Sequence, residues 1–202
     1  MRLSPKNHWE SVYASKTDAE LSWTQPDPRL SLSLIAELCP AGRIIDVGGG
    51  TSLLAGKLLD HGYSVTLLDI SETAVSRGRE RLGSRASMVH WVVADITASP
   101  DLGSFDVWHD RAVFHFLTNP ADRAAYVTLL NRTISVGRYA VIATFAPDGP
   151  AKCSGLPVRR YSGRTLSEEL GHSFQLLKNV TETHVTPMGR PQPFQYSAFR
   201  RV

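Results

Sequence analysis

Hydrophobic and polar positions follow two alternating periods along residues 27–145. Short apolar runs predict five strands, at 44–47, 65–69, 88–93, 105–110 and 139–145, and the first two are expected to be buried. Between them, apolar residues recur at helical spacing and predict helices over 27–38, 53–60, 72–82 and 120–136. Strict alternation of strand and helix predicts an α/β fold built on a doubly wound parallel sheet with right-handed crossovers.

The pattern changes after residue 145. Residues 146–160 form a loop rich in Gly and Pro, and 166–170 predict a short helix. Residues 174–184 and 194–201 then read as two long strands joined by a short proline-rich turn. Strands joined so closely must pair antiparallel, because a parallel pair needs a crossover of about a dozen residues or more. We therefore expect the sheet to end in a reversed hairpin.

Residues 1–28 precede the alternating pattern and are predicted to form an arm. A short helix is expected from Ser4 to Val12 or slightly beyond, followed by an extended segment fixed by Pro26 and Pro28. Its large aromatic residues are Trp9, Tyr13 and Trp23. They indicate either that the arm is anchored to the domain or that it closes over a ligand as a lid.

The stretch from Arg43 to Ser52 runs from a strand through Gly48, Gly49 and Gly50 into a helix. Glycines allow positive φ and let a ligand approach the backbone closely, while the following helix offers unpaired N–H groups at its positive end. Such a turn at the carboxyl end of a buried strand is typical of a ligand cradle.

Three acids follow consecutive predicted strands: Asp46, Asp69 and Asp95. In open α/β sheets this edge is where ligands bind. A carboxylate after the second strand suits a ribose diol, since its oxygens can accept from two neighbouring hydroxyl groups. Asp95 can accept from an adenine amine, and Asp46 can face an ammonium group.

The glycine spacing bears on which adenosine ligand is bound. A dinucleotide site is typified by G-x-G-x-x-G, with the third glycine near a pyrophosphate. Here Gly48 and Gly50 supply the first two glycines, but Leu53 occupies the third position. The sequence therefore favours a ligand without a pyrophosphate over a nicotinamide dinucleotide.

These motifs resemble those of class I S-adenosylmethionine-dependent methyltransferases. Asp46-Val-Gly48-Gly49-Gly50-Thr51-Ser52 is similar to their nucleotide-binding loop, with Ser52 where glycine is usual. Leu-Leu-Asp69-Ile-Ser and Val-Ala-Asp95-Ile are similar to their ribose- and adenine-binding segments. The resemblance covers about residues 30–202 and implies a Rossmann-like, mostly parallel seven-stranded sheet, with S-adenosylmethionine as cofactor and S-adenosylhomocysteine as product. The implied cofactor-binding residues are Asp46, Gly48, Gly49, Gly50, Asp69, Ile70, Asp95, Ile96 and Asp110.

The same resemblance places acceptor-facing residues after the fourth strand. His115 is a candidate general base because a histidine titrates near neutral pH, or it is a partly buried structural residue. Asp110 and Arg111 are candidate catalytic residues that form an ion pair beside the pocket or serve only the fold. Further substrate-side candidates come from the arm and the loop after strand five: Trp9, Tyr13, Trp23, Cys153, Arg159, Arg160 and Tyr161.

Composition limits the other possibilities. The chain of 202 residues fits a single domain over 1–202, with a cofactor-binding half at 29–145 and a substrate-side part at 146–202. A net charge of +3 does not by itself indicate nucleic acid, and the arginines at 77, 79, 81 and 85 are expected to form a solvated helix face. Cys39 and Cys153 lie far apart, so no metal site is expected. No run of about 18 apolar residues occurs, so a cytoplasmic protein without a membrane partner is expected.

We therefore expect an enzyme that transfers a methyl group to a small molecule. No Asn-Pro-Pro-Tyr motif follows strand four, which counts against methylation of an adenine or glutamine amide. A protein-lysine methyltransferase is the alternative acceptor class. A nicotinamide-dependent oxidoreductase and a non-catalytic adenosine-binding module are the alternatives from other functional classes, and the sequence leaves the oligomeric state open.

Overall fold

The structure is a computed structural model that describes residues 4–202, so the first three residues of the predicted arm lie outside it. Its α-helices and main strands follow the predicted order closely. In chain order they are α1 (Pro5–Ser15), α2 (Arg29–Leu38), β1 (Arg43–Val47), α3 (Leu54–Asp60), β2 (Ser64–Asp69), α4 (Glu72–Leu82), β3 (Val89–Val93), β4 (Phe105–Arg111), α5 (Pro120–Thr133), β5 (Ile134–Phe145), α6 (Gly163–Leu170), β6 (Phe174–Val185) and β7 (Pro191–Arg201).

The main strands form one seven-stranded sheet in the order β3-β2-β1-β4-β5-β7-β6. Strands β1 to β5 run parallel to one another. Strand β7 runs antiparallel to β5, and β6 runs antiparallel to β7. The predicted doubly wound sheet and its reversed terminal hairpin are therefore confirmed.

Hydrophobic cores lie on both faces of the sheet. In β1, Ile44 belongs to the core beneath α2 and α3, while the next residue, Ile45, belongs to the core beneath α5 and α6. Successive side chains of a strand point to opposite faces, so a strand buried on both faces reads as a continuous apolar run. This explains why strands β1 and β2 were recognisable as short apolar runs.

Side-chain caps lie at the starts of α4 and α5, where the sequence predicts that these helices begin. Ser71 Oγ accepts from the Ala74 N–H at the start of α4, and Asn119 Oδ1 accepts from the Ala121 N–H at the start of α5. The prediction was less accurate after α5, because the chain enters β5 at Ile134 and does not continue as a helix to residue 136. The predicted loop 146–160 also contains a small separate hairpin, formed by the two-residue strands Lys152–Cys153 and Leu156–Pro157.

The predicted solvated arginine face is correct for Arg79 and Arg85, which are exposed, but wrong for Arg77 and Arg81. The guanidinium of Arg77 donates to the carbonyls of Tyr13 and Lys16, at 2.9 and 2.8 Å, and pairs with Asp18. Arg81 also pairs with Asp18. These side chains tie the N-terminal arm to α4, a long-range contact that the local charge pattern could not indicate. Within residues 4–202, no helix is both long and apolar enough to span a bilayer.

Candidate functional site

The glycine turn between β1 and α3 leaves no room for a Cβ at any of its three glycines, and two of them also have a positive φ. Gly48 has φ +67° and Gly50 has φ +43°. A Cβ at Gly48 would lie 2.1 Å from Val113 Cγ2, and one at Gly50 would lie 2.8 Å from the Tyr13 hydroxyl oxygen. Gly48 also donates its N–H to the Leu68 carbonyl at 2.7 Å. The turn is therefore held close to the strand ends, with no room for side chains.

Ser52, the departure from the family pattern, has a local structural role. Its hydroxyl oxygen accepts from the Leu54 N–H at 3.1 Å. Leu54 is the first residue of α3, so the hydroxyl satisfies one of the N–H groups that the helix leaves unpaired. A serine at this place is compatible with the turn because it caps the helix.

Asp46 is held by a buried hydrogen-bond chain beneath the turn. Its Oδ1 lies 2.7 Å from His109 Nδ1, and His109 Nε2 lies 2.9 Å from Ser31 Oγ. All three residues are buried. Since a carboxylate only accepts, Nδ1 carries the proton in this arrangement and Nε2 accepts from the serine. Asp46 Oδ2 is buried beside Gly49 and has no hydrogen-bond partner in the described chain.

Asp69 lies at the end of β2 and is also buried. Its Oδ1 accepts from the Ser71 N–H at 2.9 Å. Burial, opposed by that hydrogen bond and aided by the charges of Asp46 and Glu10, raises the pKa of Asp69 to about 7. Hydroxyl donors from a ligand would compensate for the water that this carboxylate has lost, which suits a ribose.

Asp95 follows β3 and caps a short helical turn. Its Oδ1 accepts from the N–H and the hydroxyl of Thr97, at 2.8 and 2.7 Å. The neighbouring Ile96 is buried and belongs to the apolar core. This arrangement fixes the carboxylate beside an apolar wall, as a site for an adenine ring requires.

A cavity of about 770 Å³ runs along the carboxyl ends of the strands. At one end it meets the strand-end residues of the cofactor prediction: Gly48, Asp69, Ile70, Asp95 and Ile96. Tyr13 of the arm also lies beside Asp69. The rest of the lining comes from the arm, the small hairpin and β7: Trp9, Trp23, Cys153, Gln192 and Phe194. A second cavity, of about 550 Å³, adjoins it at Gly48 and is lined by Asp46, Gly49, Ser31 and His109. Gly50 lines neither cavity but lies between Tyr13 and Asp69.

The N-terminal arm covers the main cavity. The ring of Trp9 meets those of Phe116 and Trp23 edge-on, with centroids 4.9 and 5.6 Å apart. The carboxylate of Glu10 accepts from the backbone N–H groups of Glu72 and Thr73, in the first turn of α4. The arm is thus both anchored to the domain and part of the cavity wall, so the two interpretations of its aromatic residues are compatible.

Arg111 ends β4 and lines both cavities. Its Nε donates to the Tyr196 hydroxyl at 3.0 Å and its Nη1 to the Trp23 carbonyl at 2.9 Å. The predicted ion pair with Asp110 is absent from the described chain: Asp110 instead accepts from the Val113 and Phe114 N–H groups and the Tyr126 hydroxyl.

Two predicted catalytic residues lie away from the cavities. Asp110 is fully buried, and burial raises its pKa to about 6 against the opposing effect of its hydrogen bonds. His115 is fully buried beside Phe145, whose N–H donates to Nδ1 at 3.3 Å. Burial and then the charge of Arg111 lower the pKa of His115 to about 3. The structure supports neither a general-base role for His115 nor a cofactor contact by Asp110.

Three substrate-side candidates are also displaced from the cavity. Arg159 pairs with Glu169, Arg160 donates to the Gly149 carbonyl, and the ring of Tyr161 is buried in the core beneath α6. Cys153 does line the cavity, but burial raises the pKa of its thiol to about 11. The thiol therefore stays protonated at neutral pH and is a poor nucleophile.

Sequence reasoning missed several residues of the site. His8, Phe116, Gln192 and Phe194 line the cavity, yet none belongs to a recognisable motif. Phe194 and Gln192 come from the hairpin strand β7, which the fold brings beside β5. The topology alone predicts that these two residues lie near the loop after β5. It does not predict that their side chains line the cavity.

These residues fit S-adenosylmethionine. The turn at Gly48 and Gly50 has no room for side chains, so a ligand can approach the backbone. Asp46 Oδ2 has no hydrogen-bond donor in the described chain, and Asp69 is a desolvated carboxylate that ligand hydroxyl groups could bind. Residues 44–137 match the family model described as a methyltransferase domain. The match covers β1 to the start of β5, and so includes all three strand-end acids.

Known proteins with similar sequence or structure are methyltransferases or share their fold. The zebrafish (Danio rerio) eEF1A lysine and N-terminal methyltransferase is 28% identical over 151 residues, which are 72% of this chain and 22% of that protein. The chain thus spans about a fifth of that relative's length.

Two solved structures share the fold over nearly the whole chain. One comes from work on the conversion of a disulfide bond into a thioacetal group during echinomycin biosynthesis. It has a TM-score of 0.78 at 22% identity, and the alignment covers 98% of this chain and 92% of that structure's chain. The other is the Burkholderia thailandensis 1,6-didemethyltoxoflavin-N1-methyltransferase with bound 1,6-didemethyltoxoflavin and S-adenosylhomocysteine. It has a TM-score of 0.70 at 17% identity, and the alignment covers 100% of this chain and 92% of that structure's chain. The sheet order, the strand-end carboxylates and the match of residues 44–137 to a methyltransferase domain are all consistent with a class I S-adenosylmethionine-dependent methyltransferase.

Proposed function

We propose that the protein transfers a methyl group from S-adenosylmethionine to a nucleophile on a small molecule. The observation that carries this proposal is the single cavity that continues from the strand-end carboxylates into a space walled by Trp9, Phe116 and Phe194 beneath the arm. A space of about 770 Å³ falls within the usual range for small-molecule sites. It suits a cofactor and a compact acceptor held side by side.

The residues of the chain act mainly by positioning. Asp69 and Asp95 are placed to hold the ribose and the adenine, and the glycine turn brings the backbone close to the methionine portion. The sulfonium of the cofactor already activates its methyl group, so alignment of acceptor and methyl carbon is the main requirement. Near-attack positioning of this kind contributes about 7 to 11 kcal/mol. The arm assists by keeping water out of the cavity.

Methylation of a protein lysine is the second candidate. The observation that favours it is the similarity to the zebrafish protein, whose name describes lysine and N-terminal methylation. A lysine acceptor would have to enter past the arm, whose α1 is fastened to α4 through Glu10. We therefore rank it below a small molecule.

Incubation with cell extract and S-adenosylmethionine carrying a radiolabelled methyl group separates these functions. After the reaction, the extract is divided by ultrafiltration into small molecules and macromolecules. Unreacted cofactor is then separated from the small-molecule fraction by chromatography. We expect the label in a new small-molecule product, and Asp69→Ala should abolish it. Label confined to protein would support the lysine alternative, and binding of the cofactor with no transfer to either fraction would indicate a non-catalytic module.

A further inference from the structure

Arg111 is a partly buried cation with no direct ion pair in the described chain. A carboxylate lies one hydroxyl away, since Glu182 accepts from the Tyr196 hydroxyl at 3.2 Å. Its Nε and Nη1 donate to neutral oxygens, those of Tyr196 and Trp23, while its Nη2 is shielded from solvent and has no partner in the described chain. Of the ion pairs within residues 4–202, none includes Arg111. A charge removed from water is costly unless it is paired. A negatively charged ligand would remove this cost.

The guanidinium lies on the side of the cavity formed by the arm and strand β7. Its carbon lies 4.4 Å from the ring centroid of Phe194, and its Nε bonds Tyr196 on the same strand. That strand, β7, lies two places from β4 in the sheet, on the side away from β1, β2 and β3. The strands that carry the cofactor carboxylates therefore lie on the opposite side of Arg111.

This end of the cavity combines cationic and apolar groups, with the carboxylate of Glu182 behind Tyr196. Lys152 adds a second cation to the lining, and Cys153 remains a neutral thiol. The aromatic rings of Trp9, Trp23 and Phe194 provide flat apolar walls. A lysine ammonium would be repelled here, whereas an anion with a flat body would find both a partner for its charge and surfaces for its ring.

Resting on the proposed transfer to a small molecule, we propose that the acceptor is a small organic anion, a carboxylate or a thiolate, whose charged group lies against the guanidinium of Arg111. Such an acceptor loses its proton to solvent before it reacts. Its oxygen or sulfur attacks the methyl carbon, the carbon–sulfur bond of the cofactor breaks, and its electron pair remains on the sulfur. The products are a neutral ester or thioether and S-adenosylhomocysteine. No general base is required, which agrees with the burial of His115.

Benzoate, thiophenol and benzamide test this assignment, since their flat rings are of similar size and only the first two ionise to anions. Each is titrated calorimetrically into protein saturated with S-adenosylhomocysteine, with the fluorescence of Trp9 and Trp23 as a second readout. We expect at least one of the two anions to bind about tenfold or more tightly than benzamide, because a charge-assisted hydrogen bond replaces a neutral one. Preference for benzoate would indicate a carboxylate acceptor, and preference for thiophenol a thiolate.

Arg111→Met should remove the preference for the anion, and Arg111→Lys should restore part of it. Arg159→Met is the matched control: this arginine pairs with Glu169 outside the cavity, so its loss should leave the preference intact. Equal or undetectable binding of all three probes to the wild-type protein would overturn the assignment. So would a loss of more than about tenfold in S-adenosylhomocysteine affinity in Arg111→Met, since the guanidinium would then serve the cofactor. Failure of the wild-type protein to bind S-adenosylhomocysteine would instead refute the proposed function.

Discussion

His109 joins strand β4 to the carboxylate of Asp46 on β1 through a contact of 2.7 Å between Nδ1 and Oδ1. The other ring nitrogen, Nε2, lies 2.9 Å from the hydroxyl oxygen of Ser31 on α2. One imidazole thus connects two adjacent strands and a helix directly beneath the glycine turn. It orients Asp46 so that Oδ2 alone remains unpaired.

Replacing His109 with Phe should destabilise the protein strongly. The ring volume is largely kept, but Asp46 loses its partner and becomes a buried, unpaired carboxylate. Leaving such a group unsatisfied costs about 3 kcal/mol in the free energy of unfolding. Ser31→Ala removes only the outer hydrogen bond and should cost about 1 kcal/mol. Urea denaturation measures both, and equal losses would show that the imidazole does not hold the carboxylate.

Gly48→Ala should destabilise the protein and impair cofactor binding together. A Cβ there would lie 2.1 Å from Val113 Cγ2, and the backbone has a positive φ of +67°. Gly62 provides the control because its φ is +79° but no atom lies within 4 Å of its Cβ position. Gly62→Ala should cost only the backbone strain of about 1 to 2 kcal/mol. Thermal denaturation and titration with S-adenosylhomocysteine test this, and normal cofactor affinity in Gly48→Ala would contradict the cradle.

Cofactor affinity should rise with pH up to about 7 and then level off. Burial raises the pKa of Asp69 to about 7, and hydroxyl donors of a ribose bind the ionised carboxylate. Below that pH the carboxyl must first lose its proton, so binding releases a proton and weakens as the pH falls. Asp69→Asn should bind weakly and lose this pH dependence. Calorimetry in buffers of different ionisation enthalpy counts the released proton, and an unchanged pH profile in the variant would exclude Asp69 as its source.

Glu10→Ala should speed the release of cofactor. Its carboxylate accepts from two N–H groups of α4 and so fastens the arm over the cavity. Loss of about 1 kcal/mol from this contact should raise the dissociation rate of S-adenosylhomocysteine by about fivefold. Glu20→Ala removes an acid from the same arm, where it binds only Thr17, and should leave the rate unchanged. Stopped-flow tryptophan fluorescence provides the rate, and equal rates in both variants would argue against a gating arm.

The fold was largely predictable because its determinants are local. Strands β1 and β2 are mostly apolar runs between turn residues, and the capping residues Ser71 and Asn119 mark the starts of α4 and α5. The strand-end acids Asp69 and Asp95 were predictable for the same reason, since strand order fixes their positions. The start of β5 at Ile134 was missed because sheet pairing overrode the helical spacing that precedes it.

The acceptor end of the site was much less predictable. Histidine near the reacting edge suggested a base, but the tertiary packing around His115 buries it completely. Arg159 and Arg160 looked equivalent to Arg111 in sequence, yet only Arg111 faces the cavity. The direction of the Arg111 side chain depends on contacts with Tyr196 and Phe194 of the distant strand β7, and no local pattern predicts such contacts.

Titration of the purified protein with S-adenosylhomocysteine in a calorimeter, with NAD as the comparison, tests the central claim most directly. The account predicts one molecule of S-adenosylhomocysteine bound per chain, no heat of binding with NAD, and a loss of about 2 kcal/mol or more in binding free energy on Asp69→Ala. Tight binding of NAD without binding of S-adenosylhomocysteine would contradict the account.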